Sequence, residues 1–452
     1  MKILDSKKIS RAEIAKLLAK KSFDEIELPE KIRAANKKIF GADLTAAELV
    51  RKIVSDVRKN GDAAVIDYTR KFDGAELAAG DFLVTAEEIA AAENSADTKI
   101  VDALNRAAEN IRSFHVEQLP KSWLTYRGEN SILGQAVIPL ERVGVYVPGG
   151  LAAYPSSVLM NVIPAKVAGV GEIIMCVPAK NGKINPYVLV AAKIAGADKI
   201  YKIGGAQAIA AMAFGTATIP RVSKITGPGN IFVTLAKKEV FGHCDIDMLA
   251  GPSEILIIAD ETANPAYAAA DMLSQAEHDP LACSIVIATD KILAENIAAE
   301  VEIQLAKLPR KEIAAASIDT NGLIIVAQDL NEAVDFANIS APEHLELLTA
   351  SPFNLLPKIK NAGAVFIGAY SPEPLGDYFA GPNHVLPTGG TAKFFSVLNV
   401  ETFLKRTSLI SYTRGDLLNV AENIISLANA EGLTAHAEAI KIRHELHTEK
   451  RN

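Results

Sequence analysis

Two short stretches carry side chains whose types and spacing could do chemistry. Ser274-Gln275-Ala276-Glu277-His278-Asp279-Pro280 closes a segment that reads as a helix from Asn264 onward. Asn264 can cap the free N–H groups, Pro265 suits the first turn, and the alanines after it propagate the helix. Pro280 turns Asp279 away from helical angles, so the spacing predicts an end at His278 or Asp279. Gln275 and His278 then share one face of the last turn. A carbonyl oxygen and an imidazole nitrogen there make half of a metal site, or else a polar helix end facing water. The second stretch, Ala341-Pro342-Glu343-His344-Leu345, sets a carboxylate beside an imidazole. Either is a general base if its pKa lies near the working pH. Neighbours in a regular strand point to opposite faces, so joint action requires a loop or bend.

Other stretches could bind. Val147-Pro148-Gly149-Gly150, Gly204-Gly205-Ala206-Gln207 and Thr226-Gly227-Pro228-Gly229-Asn230 each follow an apolar run. Glycine lets a backbone approach a phosphate closely, and a helix start favours anions. None is G-x-G-x-x-G, and each taken singly is also an ordinary tight turn. Ala250-Gly251-Pro252-Ser253-Glu254 falls between two arrays of elements, where a cleft would lie. Pro374–Tyr378 and Ala380–Pro387, the latter containing His384, form a glycine- and proline-rich loop of the kind that holds binding residues. Glu431-Gly432-Leu433-Thr434-Ala435-His436 lies in the tail, and His444 and His447 read as solvated.

The elements that must position these residues follow a rhythm. Residues 1–30 read as a short charged helical arm, with a helix start at Ser10-Arg11-Ala12-Glu13. Too small to bury its own apolar residues, it should lie on something else. Ala46–Lys59, Asp62–Lys71 and Ser95–Gln118 show helical apolar spacing, and Trp123–Arg127 and Ile132–Ile138 alternate as strands do. From Arg142 apolar runs alternate with helical segments, the pattern of parallel sheet covered by helices. We read an α/β fold of two doubly wound, Rossmann-like domains, one inserted in the other. Residues 31–141 and 253–398 form the first, residues 142–252 the insert, and residues 399–452 a tail of two or three helices.

With 452 residues, 49% hydrophobic and 22% charged, the chain can bury large cores. Its net charge of −7 and lack of a basic block argue against nucleic acid as a partner. Cys176, Cys244 and Cys283 are too dispersed for a disulfide framework or a thiolate zinc site. No apolar leader opens the chain and no uncharged run is long enough for a bilayer, so a cytoplasmic protein without membrane contact is expected.

Taken in order, these stretches resemble the histidinol dehydrogenase family: Val145–Gly150, Gly204–Ile209, Gly227–Asn230, Ala250–Glu254, Ser274–His278, Ala341–Leu345, Leu375–Tyr378, Gly381–Pro387 and Glu431–His436. The resemblance implies a zinc-dependent enzyme that oxidises L-histidinol to L-histidine through L-histidinaldehyde with two NAD+, the last step of histidine biosynthesis. It implies one zinc per subunit on Gln275, His278, Asp377 and His436, and Glu343 and His344 as the catalytic pair. Substrate contacts would be the four zinc ligands with Ser253, His344, His384 and Glu431, and NAD+ contacts Tyr146, Gln207 and Asn230. It further implies a homodimer with sites shared between subunits. The residues by themselves also fit a zinc hydrolase with Glu343 as base, or a nucleotide-binding protein without catalysis.

Overall fold

The structure, a computed structural model, describes residues 1–20, 28, 30–128, 130–149 and 154–445. Gly150, residues 21–27 of the arm, His447 and the end Glu449–Asn452 lie outside the described residues. The backbone groups into two units: residues 1–118 with 140–403, and residues 119–139 with 404–452.

The first unit contains two parallel sheets. One is six-stranded, in the order β1 (Lys2–Asp5), β11 (Leu323–Val326), β10 (Cys283–Ala288), β9 (Glu254–Ala259), β12 (His344–Leu348) and β13 (Ala364–Ile367). The other is five-stranded, in the order β6 (Lys199–Tyr201), β5 (Glu172–Cys176), β4 (Arg142–Tyr146), β7 (Lys224–Thr226) and β8 (Asp245–Ile246). β4 to β8 are consecutive in the chain, while the six-stranded sheet draws its strands from both sides of them. Every residue of β9 and β12 is buried, which is why β9 reads as a continuous apolar run after Glu254, while β12 carries His344 and Glu346 inside the fold.

The two faces of the six-stranded sheet meet different helices. Ile255, Ile257, Val286 and Ile324 pack with the helices Pro265–Ala276, Lys291–Leu305 and Lys311–Asn321. Leu256, Ile258, Ile285 and Ile325 pack with the helix Leu330–Ser340 and with the arm. The arm does lie on something else. Its helix Arg11–Leu18 opens with a Ser10–Glu13 capping box and buries Ile14 and Leu18 in that core. Its first residues form β1, an edge strand paired with β11.

The sequence rhythm assigns the helices Ala46–Asn60 and Asp62–Asp73 to the six-stranded sheet. Instead Leu49, Ile53, Val57 and Val65 join the core of the five-stranded one, with Ile209, Met212 and Ile225. An amphipathic pattern gives a helix its apolar face but not the sheet that receives it.

The second unit is built on an antiparallel sheet in the order β14 (Leu404–Ser411), β3 (Ser131–Pro139) and β2 (Trp123–Arg127). The helices Arg414–Ala430 and Thr434–Glu445 follow it. β14 stands where the sequence suggests only helices. It is exposed along nearly its whole length, so burial imposes no alternation, and pairing with β3 residue by residue decides its state. Among the described residues no helix is long and apolar enough to cross a membrane.

Candidate active site

The helix Pro265–Ala276 begins as its sequence predicts, with Asn264 Oδ1 accepting from Ala266 N–H at 2.9 Å. It ends two residues short of His278. There Glu277 N–H bonds Leu273 O at 3.1 Å, and His278 N–H bonds Gln275 O at 3.3 Å, a tightened last turn. A crossover helix runs antiparallel to its strands, so this end lies at their amino ends. Glu254 and His344 are the first residues of β9 and β12, at that same end of the sheet.

The bend that Glu343 and His344 need is supplied by Ala341, which caps the helix Leu330–Ser340 in the left-handed region at φ 49°. Glu343 falls just before the strand, and its Oε2 comes within 3.8 Å of His344 Nδ1. The main chain of Glu254 holds both. Its N–H donates to Glu343 Oε2 at 2.8 Å, and its carbonyl meets His344 Nδ1 at 2.9 Å. With Nδ1 so engaged, Nε2 is the free nitrogen. It is buried without a hydrogen-bond partner, 3.8 Å from Asp377 Oδ1.

Asp377 sits on the short helix Glu373–Tyr378, one turn after Glu373. Ligand-type atoms of His278, Glu373 and Asp377 all lie within 4.8 Å of one another, a spacing that suits one cation. Gln275, one turn back from His278, is 1% exposed, and both ends of its amide lack a partner. A buried amide left unbonded is costly unless something binds it, so the donor set fits a cation of zinc's type. Glu373 is not among the residues that the sequence singles out. The signal for it is its spacing of four from Asp377, which counts only once Glu373–Tyr378 is recognised as helical.

His384 is tied to the same group, with Nδ1 2.9 Å from Asp377 O and Nε2 3.3 Å from Ser157 Oγ. Ser157, in the first turn of the helix Pro155–Ala168, is a further residue that sequence alone does not single out. Ser253 directly precedes β9 and accepts from Cys283 N–H at 3.0 Å through its carbonyl.

Charge in this cluster is strongly coupled. Burial pushes the Glu343 carboxyl up to about 8, against the pull of His344. Burial also opposes charge on His344, but Glu343, Asp377 and Glu373 outweigh it and lift the imidazole to about 10. Burial lowers His278. Asp377 is buried too, yet His344 and His384 hold it below the ordinary carboxylate range. An excess of carboxylates over fixed cations is what a metal site requires.

The glycine loops gather at the carboxyl ends of the five-stranded sheet, around the switch point between β4 and β7. Tyr146, the last residue of β4, accepts from Gly205 N–H at 3.1 Å. Gly227 has φ 111°, and a Cβ there would collide with Tyr146 O, so no other residue fits. Gln207 is buried with both amide atoms unpartnered. Asn230 Oδ1 caps the helix Ile231–Val240, accepting from Phe232 and Val233 N–H at 3.1 and 3.2 Å.

A buried ion pair braces the Gly227 turn. Lys237 Nζ donates to Gly227 O at 3.0 Å, Asp247 Oδ2 accepts from Gly227 N–H at 2.8 Å, and the two side chains pair with each other. Lys237→Met leaves the Asp247 carboxylate buried without a counter-charge, so stability should fall by about 3–5 kcal/mol. Denaturant unfolding measures this, and Lys237→Met/Asp247→Leu should recover part of the loss. A single variant as stable as the parent would show that the pair does not brace the turn.

Glu431 and His436 belong to the second unit. Glu431 ends the helix Arg414–Ala430, His436 lies in the helix Thr434–Glu445, and both are exposed.

Residues 40–444 match the family model described as histidinol dehydrogenase. The chain is 54% identical over 404 residues to histidinol dehydrogenase of Heliobacterium mobile, spanning 89% of this chain and 95% of that one. It is 54% identical over 397 residues to histidinol dehydrogenase of Geobacter sulfurreducens, spanning 88% and 92%. The crystal structure of histidinol dehydrogenase from Elizabethkingia anophelis matches with a TM-score of 0.88 at 37% identity, over 98% of both chains. With agreement over nearly the full length in both sequence and fold, the chain belongs to the histidinol dehydrogenase family of oxidoreductases.

Proposed function

We propose that the protein is a zinc-dependent enzyme that oxidises L-histidinol to L-histidine through L-histidinaldehyde, using two NAD+. The observation that carries this reading is the buried group of unpartnered donors, Gln275 and His344 Nε2, beside the His278, Glu373 and Asp377 cluster. Gln275, His278 and Asp377, with His436 from a partner subunit, would hold zinc. Bound there, zinc would orient the substrate and offset the carboxylate charge that otherwise keeps His344 protonated. NAD+ would supply the hydride acceptor in both oxidations, held by Tyr146, Gln207 and Asn230 within residues 142–252. Ser253, His384 and Glu431 would complete the contacts to substrate.

The proton work falls to the chain's own side chains. His344 Nε2 is free because Nδ1 is spent on Glu254 O, so it can take the alcohol proton as the first oxidation proceeds. Glu343, as the carboxylate, takes a proton from the water that adds to the aldehyde, and burial makes it a stronger base than an exposed glutamate. His344 returns its first proton to the aldehyde oxygen as the hydrate forms, and, neutral again, takes a hydroxyl proton from that hydrate as the carboxylate forms. Burial of the pair keeps bulk water away from the aldehyde between steps. Three free cysteines, two of them buried, suit a reducing compartment such as the cytoplasm.

The test is a histidinol-dependent NADH assay on purified protein, with and without a chelator. Two NADH per histidinol are expected, and chelation should abolish turnover while far-UV circular dichroism stays nearly unchanged. The sheet cores are apolar and do not contain the cluster. Absence of NADH would favour the hydrolase reading, and cooperative unfolding on metal removal would give the ion a structural role instead.

A further inference from the structure

Glu254 holds the catalytic pair through its main chain, and its side chain is held in turn by the N-terminal arm. Glu254 Oε1 accepts from Gly389 N–H at 3.1 Å and faces Lys20 Nζ at 3.4 Å. The same ammonium lies 3.5 Å from Cys283 Sγ. The Lys20 side chain is only 16% exposed and that of Glu254 7%. Lys20 comes two residues after the helix Arg11–Leu18, which anchors the arm through Ile14 and Leu18. It lies outside residues 40–444, the part of the chain matched by the family model.

A buried carboxylate without a counter-charge is strongly destabilised. Glu254 would in addition stand beside a second carboxylate, Glu343, whose Oε2 its own N–H contacts. Lys20 answers that charge. Burial opposes the ammonium, yet Glu254 and Cys283 outweigh it and hold Lys20 above its ordinary range. Without the ammonium the Glu254 side chain would leave Gly389 for water, and the first residue of β9 would shift. Both Glu343 and His344 hang on that residue.

We propose that Lys20 is a positioning residue: its ammonium neutralises Glu254 and so fixes the main chain that orients Glu343 and His344. The inference rests on the roles proposed above for that pair. Lys20→Met should lower kcat for both alcohol and aldehyde oxidation by about tenfold to a hundredfold, as displacement of reacting groups does. The KM for NAD+ should not change, because the nucleotide loops belong to the other sheet. Lys20→Arg should retain most of kcat. In Lys20→Met/Glu254→Gln the two losses should be less than additive, since no unpaired buried charge remains. This double variant also serves if Lys20→Met alone folds poorly. A folded Lys20→Met enzyme with kcat within about twofold of the parent would overturn the inference, as would strictly additive losses in the double variant. Glu343→Gln run in parallel separates the two levels. If it blocks only the aldehyde step while Lys20→Met is silent, the pair's roles stand and the Lys20 inference falls. If it fails to separate the steps while Lys20→Met lowers kcat alone, Lys20 keeps its place and the roles fall.

Discussion

Glu343→Gln is expected to leave oxidation of the alcohol nearly intact and to slow oxidation of the aldehyde by about a hundredfold or more. Glutamine keeps the size of the side chain, and its carbonyl oxygen can still accept from Glu254 N–H, the bond that places Glu343 Oε2 now. What it lacks is a group able to take a proton from the water that must add to the aldehyde. The alcohol step needs only His344, whose Nδ1 stays on the Glu254 carbonyl in the variant. Replacing the carboxylate also removes one of the charges that lift His344, which favours the neutral imidazole a base requires. His344→Asn, by contrast, should slow both steps by about a hundredfold to ten-thousandfold, because each releases a proton to the same nitrogen. Steady-state rates with histidinol and with histidinal as separate substrates decide the matter. Equal losses on both for Glu343→Gln would refute the division of labour.

The residues behind that division are legible in part from the amino-acid sequence alone. The Glu343-His344 dipeptide and the Gln275/His278 turn stand out because helix and strand periodicities fix which neighbours can act together. Nothing local in the sequence says that both meet at the amino ends of the six-stranded sheet. Ligands of open sheets usually sit at the carboxyl ends, and the glycine loops around Tyr146 do so here. The proposed catalytic pair departs from that rule because it opens at the amino end of β12, the end to which the helix Pro265–Ala276, running back along its strand, delivers Gln275 and His278. Lys20 and Glu373 are hidden for another reason. Each acts through a partner far away in the chain, Lys20 across to Glu254 and Glu373 beside His278, and no local period records such pairs. β14 is hidden because its exposed face leaves no alternation to read. The arm is half legible: its capping box marks the helix, but β1 is too short to be told from a loop until β11 is found beside it.

Mixing His278→Ala with His436→Ala is expected to restore activity that neither variant has alone. His278 belongs to the donor cluster of the first unit, and His436 to the second. The second unit carries Leu427 and Ile442 exposed on its helices, Leu433 exposed between them, and Trp123, Leu124, Tyr126 and Ile410 exposed on its sheet. Apolar side chains left to water are candidates for cover, and a two-fold partner is what our proposal sets against them. In such a dimer each site takes its cluster from one subunit and His436 from the other. After dissociation and random reassembly about half of the dimers are mixed, and each mixed dimer has one site with both halves intact, so roughly a quarter of parental activity should return. If His436 instead served its own subunit, every site would carry one lesion and nothing would return. Subunit exchange verified by mass, with no recovered activity, would therefore refute the sharing of sites. It would leave the assignment of the ligands themselves untouched, since both single variants would still be inactive for the same reason.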